Sequence, residues 1–418
     1  MKKSLLCVAA LLALAGCSGS TPADNAGASG GEEGRGPIAV ASRPDPGGVF
    51  QTLADRWNES HPGEPVELIE QPQSSDDARA QLVQNLQARS TEFDLILANN
   101  VWISEFAARG WIAELPADEL PADGLLEAPL ATAEYDGALY AVPLFTDAGL
   151  LYYRTDLVPE PPSTFAELIG YCDIAAAQGM GCYAGQYAKT DGLTVNAQEA
   201  INAAGGDVLD ESGAPDVGTA EAAAGLQLLR DGFDQGWIPR EAITYTEEEG
   251  RTAFQQGRLL FLRNWPYMHN LASAEGDGNV VAGKFDVAPL PGIDGPGASA
   301  LGGWNLAVSS YSEHPETARD FALWLLEPEQ QRTLVTDGGL SPVLAELYDD
   351  PELVAQYPYL PTLKDALANA RPLPKSPVWS AISLAVQDSV YAVLQGELDP
   401  ADAVEQLQAA LTDAIENA

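Results

Sequence analysis

Between Ile38 and Ala98 the sequence alternates three short β-prone runs with two amphipathic helices, and this alternation restricts the fold more than any other feature. Ile38 to Ser42 reads as a strand, and after Gly47-Gly48 the residues Val49, Phe50, Leu53 and Trp57 recur at helical spacing. Val66-Glu67-Leu68-Ile69 is a second strand. Asp76 is expected to cap a second helix, with Ala78, Leu82, Val83 and Leu86 on one face, and Phe93 to Ala98 is a third strand. Strands alternating with helices in this way make βαβ units and a largely parallel sheet. The whole body that begins near Ile38, roughly 380 residues, is more than one compact domain usually holds, so two α/β lobes are expected.

The chain must then cross between those lobes. After the turn signal Tyr135-Asp136-Gly137 comes ALYAVPLFTDAGLLYYR, an almost continuous β-type stretch interrupted by Pro143 and Asp147. A proline and a bare carboxylate in so long a run point to a strand that leaves one sheet and enters another, which is a hinge. A second α/β region follows, with a helix carrying Leu226, Leu229 and Phe233, a capping box at Thr246-Glu247-Glu248-Glu249, and a helix stop at Gly257. Further on, FDVAPLPG and LGGWNLAVSS precede a helix that starts near His314-Pro315 and turns Ala318, Phe321, Ala322 and Leu325 inward. From Asp349 onward the sequence is helical, apart from the proline-rich stretch between Arg371 and Pro377.

The ends of the chain speak of compartment. Two lysines, the apolar run Leu5 to Ala15 and small residues before a cysteine have the layout of a secretory signal, residues 1–16, too short to span a bilayer. Leu14-Ala15-Gly16-Cys17 resembles the bacterial lipobox, which implies cleavage before Cys17 and lipidation of its thiol. Residues 17–36 have no large apolar side chain and read as a flexible tether. The expected address is the extracytoplasmic face of the cell membrane, held through the lipid. With Cys7 and Cys17 accounted for, Cys172 and Cys182 remain in the body, and two cysteines across a short loop in an oxidising compartment read as a disulfide.

His61, His269 and His314 lie far apart in sequence and none pairs with a cysteine at ligand spacing, so no metal site is expected, although the acidity leaves calcium open. No cofactor is expected. The formal net charge of −40 repels phosphate backbones, so nucleic acid is not an expected partner.

Several expected strands end in the same chemistry. FDLILA ends in Asn99-Asn100-Val101-Trp102, VPLF in Thr146-Asp147, LLFLR in Asn264-Trp265, and Gly302-Gly303 leads to Trp304. In open α/β sheets ligands sit beyond the carboxyl ends of the strands. Carboxylates and amides beside flat aromatic faces suit a neutral polyol, because they accept its hydroxyls while the rings cover its C–H face. Pro266 is expected at the first position of the next helix, which places Trp265 at the junction and turns its ring to the crevice.

The tethered N-terminus together with SRPDPGGVFQTLADRWNESHPG, DLILANNVWISEFAARGWI, YAVPLFTDAGLLYYRTDL, RTAFQQGRLLFLRNWPY, FDVAPLPG and LGGWNLAVS resembles the extracellular solute-binding proteins of sugar ABC importers, in the maltose-binding-like branch for trehalose, maltose and related α-glucosides. The resemblance implies a two-lobed, type II periplasmic-binding-protein-like α/β fold with an interlobe ligand cleft. Lobe 1 would take 37–145 and 289–345, and lobe 2 would take 146–288 and 346–418. It also implies a monomer that delivers a sugar to the transmembrane subunits of an ABC permease.

By motif, Asp147 would accept sugar hydroxyls, Trp265 and Trp304 would stack on the rings, and Gly303 would bring backbone close to the ligand. Arg79 and Asp45 would be further contacts, and Gln186, Tyr187 and Asp191 would line the other lobe. Two departures bear on which sugar is bound. Asn99 stands where such binders often carry aspartate, and the position of a sugar-binding arginine falls on Leu373, with Arg371 as the substitute. Two rival readings differ in kind. A secreted glycosidase would pair Asp147 with another carboxylate, yet nothing in the sequence marks such a partner. An adhesive lipoprotein would bind no small ligand at all.

Overall fold

The alternating pattern resolves into two principal sheets. The computed structural model describes residues 34–45, 47–121, 124–210 and 213–417, so the signal segment, Cys17 and the tether up to residue 33 lie outside the described residues. Gly34, Arg35 and Gly36, which composition assigns to the tether, are fastened to the body. Arg35 pairs with Glu64 at 3.1 Å and with Asp320, and the Gly36 N–H donates to Thr317 Oγ1 at 3.2 Å.

The first sheet contains β1 (Ile38–Ser42), β2 (Val66–Glu70) and β3 (Leu95–Asn99), parallel to one another, with Ile38 opposite Val66 and Val40 opposite Leu95. Helix α1 (Val49–Ser60) buries Val49, Phe50, Leu53 and Trp57, the face that the spacing indicates. Helix α2 (Ser75–Gln87) buries Ala78, Leu82 and Leu86. Its cap is Ser74, whose hydroxyl accepts from the Asp77 N–H, while Asp76 falls in the first turn, where a carboxylate favours the helix dipole.

The chain then crosses. Strand β4 (Val142–Ala148) lies in the first sheet and β5 (Leu150–Arg154) in the second, with Gly149 alone between them. The second sheet is completed by β6 (Gly181–Ala184), β7 (Leu259–Asn264) and β8 (Phe285–Ala288), in the order β8-β5-β7-β6. The chain returns to the first sheet with β9 (Ala300–Val308), β10 (Ser341–Pro342) and β11 (Arg371–Pro372). The expected largely parallel sheet is thus confined to part of the structure. β9 runs antiparallel to β3 and β4, and β5 runs antiparallel to β7 and β8. Parallel neighbours need a long crossover, usually a helix, and β4 runs on into β5 through Gly149 with no helix between them.

Helices cover both sheets. In the second lobe α3 (Asp191–Ala203) packs against α4 (Ala220–Gln235), while α5 (Glu247–Gln255) lies on β7. Thr246 and Glu249 form the capping box that the sequence indicates, and Gly257, at φ +70°, follows the helix end. On the first lobe α6 (Pro315–Trp324) opens with proline and sets Phe321 and Trp324 edge-on to Trp57, at 5.3 and 5.5 Å. The C-terminal α7 (Trp379–Leu394) and α8 (Pro400–Glu416) pack together, and α7 lies against α3. Strand β7 is buried along its whole length, as a continuous apolar run covered on both faces should be; each large side chain there contributes about 1.5–3 kcal/mol. No helix among the described residues is long and apolar enough to cross a membrane.

Cys172 and Cys182 are bonded, with their α-carbons 5.1 Å apart. Closing so short a loop stabilises by about 2–3 kcal/mol through restriction of the unfolded chain. Cys172→Ser should lower the denaturant midpoint accordingly and leave ligand affinity unchanged. Identical midpoints with and without reductant would contradict this.

Candidate functional site

A cleft of about 420 Å³ lies where strand ends from both sheets face one another. The first sheet contributes Arg43 and Asp45 beyond β1, Gln71 beyond β2, Asn99, Asn100 and Trp102 at β3, Asp147 in β4, and Gly302 to Trp304 in β9. From the second come Trp265 beyond β7, Tyr267, Asp191 at the start of α3, and Glu247 to Glu249 at the start of α5.

Two tryptophans shape this space. Trp304 stands edge-on to Trp102, with centroids 5.5 Å apart, and the Arg43 guanidinium lies 5.0 Å from its ring centre. Trp265 has the guanidinium of Arg263 3.9 Å from its ring centre, so one face is occupied from within the protein, and the partly buried ring lines the cleft. At Gly302 a β-carbon would lie 3.0 Å from the Trp265 ring and 3.1 Å from the Asp147 side chain, so a larger residue would press on both. At Gly303, with φ +138°, a β-carbon would sit 2.8 Å from the Phe145 carbonyl oxygen. Pro266 occupies a turn rather than the first position of a helix. The Met268 N–H donates to the Trp265 carbonyl, and the helix begins only at Met268. Trp265 nevertheless holds the strand-end position, because the Tyr152 hydroxyl donates to its carbonyl at 2.9 Å and its N–H donates to Asn264 Oδ1 at 2.7 Å.

The carboxylates differ in kind. Burial pushes Asp147 up to about 7, against the pull of Arg43 and of the Ser341 hydroxyl 3.4 Å away. Burial also takes Asp191 up to about 7, reinforced by Asp76, while its side chain accepts from Ser383 Oγ at 3.2 Å. The Asp191 N–H donates to Asp76 Oδ2 at 3.1 Å, a bond between the starts of α3 and α2. Asp45 lines the cleft but spends both oxygens locally, accepting from the Phe50 and Gly47 N–H groups at 2.7 and 3.2 Å. Asn99 accepts from the Val101 N–H at 3.3 Å, and Asn100 donates to the Leu301 carbonyl at 3.0 Å. Tyr267 donates to Glu248 at 2.6 Å.

The structure therefore gathers Asp45, Asn99, Asn100, Asp147, Asp191, Trp265, Gly303 and Trp304 around one space, and it places four expected contacts elsewhere. Arg79 is turned onto Glu105, to which its Nε donates at 3.0 Å. Gln186 is fully buried and donates to the Arg263 carbonyl at 2.9 Å. Tyr187 is buried edge-on against Phe233, 5.4 Å away. Arg371 extends over the surface toward Asp207 at 3.4 Å and is not among the residues lining the cleft, whereas Leu373 is.

Arg43, Gln71, Trp102, Tyr267 and Glu248 are lining residues that were not among the expected contacts. The strand-end rule that marks Trp265 also marks Arg43 and Gln71, each of which follows a strand directly. Among the described residues no group of acidic, histidine or cysteine side chains is arranged to hold a metal ion.

Residues 41–332 match the family model described as bacterial extracellular solute-binding protein. A probable ABC transporter-binding protein of Deinococcus radiodurans is 33% identical, over 86% of this chain and 88% of that one. The maltotriose-binding protein of Pyrococcus abyssi is 29% identical over 83% of this chain and 74% of its own length. Among solved structures, maltose-bound MalE3 of T. maritima superposes with a TM-score of 0.85 at 31% identity, covering 90% of this chain and 99% of that one.

Proposed function

The chain belongs to the bacterial extracellular solute-binding protein family, and from that premise we propose that its cleft captures a neutral carbohydrate, an α-glucoside disaccharide such as maltose or trehalose, for delivery to an ABC permease. It is a binding protein rather than an enzyme. The observation that carries the carbohydrate reading is the meeting of Trp265 and Trp304 with Asp147 in one cleft, aromatic faces beside a hydroxyl acceptor. The maltotriose-binding relative and the maltose-bound neighbour support the same class.

In this reading two bodies, one built around each sheet, close on the ligand; Thr146–Ala148 and Arg371–Pro372, expected in the second lobe, pair within the first sheet, and Cys17 carries the lipid that keeps a monomer at the membrane. A cleft of about 420 Å³ is of the size that holds small ligands. A disaccharide of about 23 heavy atoms, at roughly 0.3 kcal/mol each, reaches about 7 kcal/mol, close to micromolar affinity. Titration calorimetry against maltose, trehalose, maltotriose and a disaccharide without glucose tests the proposal. Micromolar binding of one α-glucoside without turnover is expected, and no heat from any of them would refute it.

A pH dependence follows from Asp147. With its carboxyl raised to about 7, a good part of the free protein carries it protonated near neutrality. Sugar hydroxyls that donate to the carboxylate favour the ionised form, so binding lowers this pKa and releases protons. Affinity is therefore expected to rise from about pH 6 to about pH 8, by up to roughly tenfold where the ligand prefers the ionised carboxylate by about 1.4 kcal/mol. Asp147→Asn should weaken binding and flatten the profile. Equal affinity across that interval in the unaltered protein would exclude the role given to Asp147.

A further inference from the structure

The aromatic platform rests on a buried ion pair that also touches the places where the chain passes between the sheets. Arg263 is 1% exposed, and its Nε and one terminal nitrogen donate to the two oxygens of Glu199 at 2.8 and 2.5 Å. Its other terminal nitrogen donates to Gln186 Oε1 at 3.1 Å, which leaves the flat guanidinium no freedom to turn beneath Trp265. Glu199 Oε1 in turn accepts from the Ala300 N–H at 3.1 Å and lies 3.2 Å from Ser299 Oγ.

Ser299 is where three passages meet. Its hydroxyl accepts from the N–H of Gly149, between β4 and β5, at 2.5 Å, and its carbonyl accepts from the Arg371 N–H at 2.8 Å. Ser299 itself leads into β9. A buried ion pair seldom adds stability over apolar side chains of the same volume, so its presence among leucines and phenylalanines calls for a geometric reason.

Building on the carbohydrate reading, we propose that Glu199 is a positioning residue: it holds Arg263 flat under Trp265 and ties that platform to the crossing segments at Gly149, Ser299 and Arg371. Ring and hinge then move together, and a ligand stacked on Trp265 acts on the crossings through two side chains. Neither Arg263 nor Glu199 needs to touch the ligand.

Two variants test this, Glu199→Gln, which removes the charge, and Arg263→Lys, which keeps a cation opposite Glu199 but loses the planar fork. With 5-fluorotryptophan incorporated and the Trp265 signal assigned by its loss in Trp265→Phe, the ligand-free variants should both displace that fluorine resonance. At saturating α-glucoside, hydrogen–deuterium exchange in peptides covering 147–151 and 297–302 should slow in the unaltered protein, and that protection should fall at least tenfold in both variants. An unmoved resonance together with full protection of the crossings would overturn the proposal. Should no α-glucoside bind the unaltered protein, the carbohydrate reading alone fails, and the ligand-free resonance still decides the role of Glu199.

Discussion

Trp265→Ala is expected to weaken carbohydrate binding at least thirtyfold while leaving the unfolding transition nearly in place. Truncating a central aromatic anchor commonly costs about 2 kcal/mol or more, and about 1.4 kcal/mol is a factor of ten in affinity. The ring is only partly buried and stands beyond a strand whose own core, Leu259 to Leu262, is untouched by the change. The ion pair beneath it also remains, since Arg263 and Glu199 satisfy each other without Trp265. Calorimetry and thermal unfolding on the same sample separate the two effects. A variant that melts much lower yet binds normally when folded would make Trp265 a core residue.

The second large effect is expected at the crossing. In Gly149→Ala the new β-carbon would lie 2.6 Å from a terminal nitrogen of Arg263 and 2.8 Å from its central carbon. A surface arginine would swing away at little cost. Here the guanidinium is held by Glu199 and Gln186 and backed by Trp265, so relief means breaking a buried ion pair or separating the sheets. Breaking such a pair costs about 3–5 kcal/mol, so the denaturant midpoint should fall by a corresponding amount, with loss of ligand-induced protection at residues 297–302. Wild-type stability in this variant would mean that the arginine has another place to go.

What could be read in advance follows the range of the forces involved. The buried faces of α1, α4 and α6 repeat every three or four residues, and the capping box at Thr246 and Glu249 is complete within a single turn. Trp265 was legible because a strand end is a local feature and the crevice beyond it a general property of α/β sheets, whereas Asp147 lies inside β4 and Gly303 and Trp304 in the amino-terminal half of β9. Pro266 shows where local rules stop. Proline suits the first turn of a helix, yet the hydrogen bonds of Tyr152 and Asn264 to the Trp265 backbone hold this stretch in a tight turn. The same holds for Arg79, Gln186 and Arg371, polar residues whose neighbours in sequence give no hint that Glu105, the Arg263 carbonyl and Asp207 await them.

The sequence by itself determined the run of helices and strands, the cysteine pair and the kind of chemistry at the strand ends, because each depends on side-chain period or on residues a few positions apart. Only the tertiary structure decided which of those residues share a cleft, that β9 returns antiparallel between β3 and β4, and that Arg263 faces Glu199 instead of a ligand. Those outcomes depend on which distant segments pair. Burial in a low-dielectric interior then compels a charge to find its partner there, even when that partner, as for Arg263 and Glu199, stands 64 positions away along the chain.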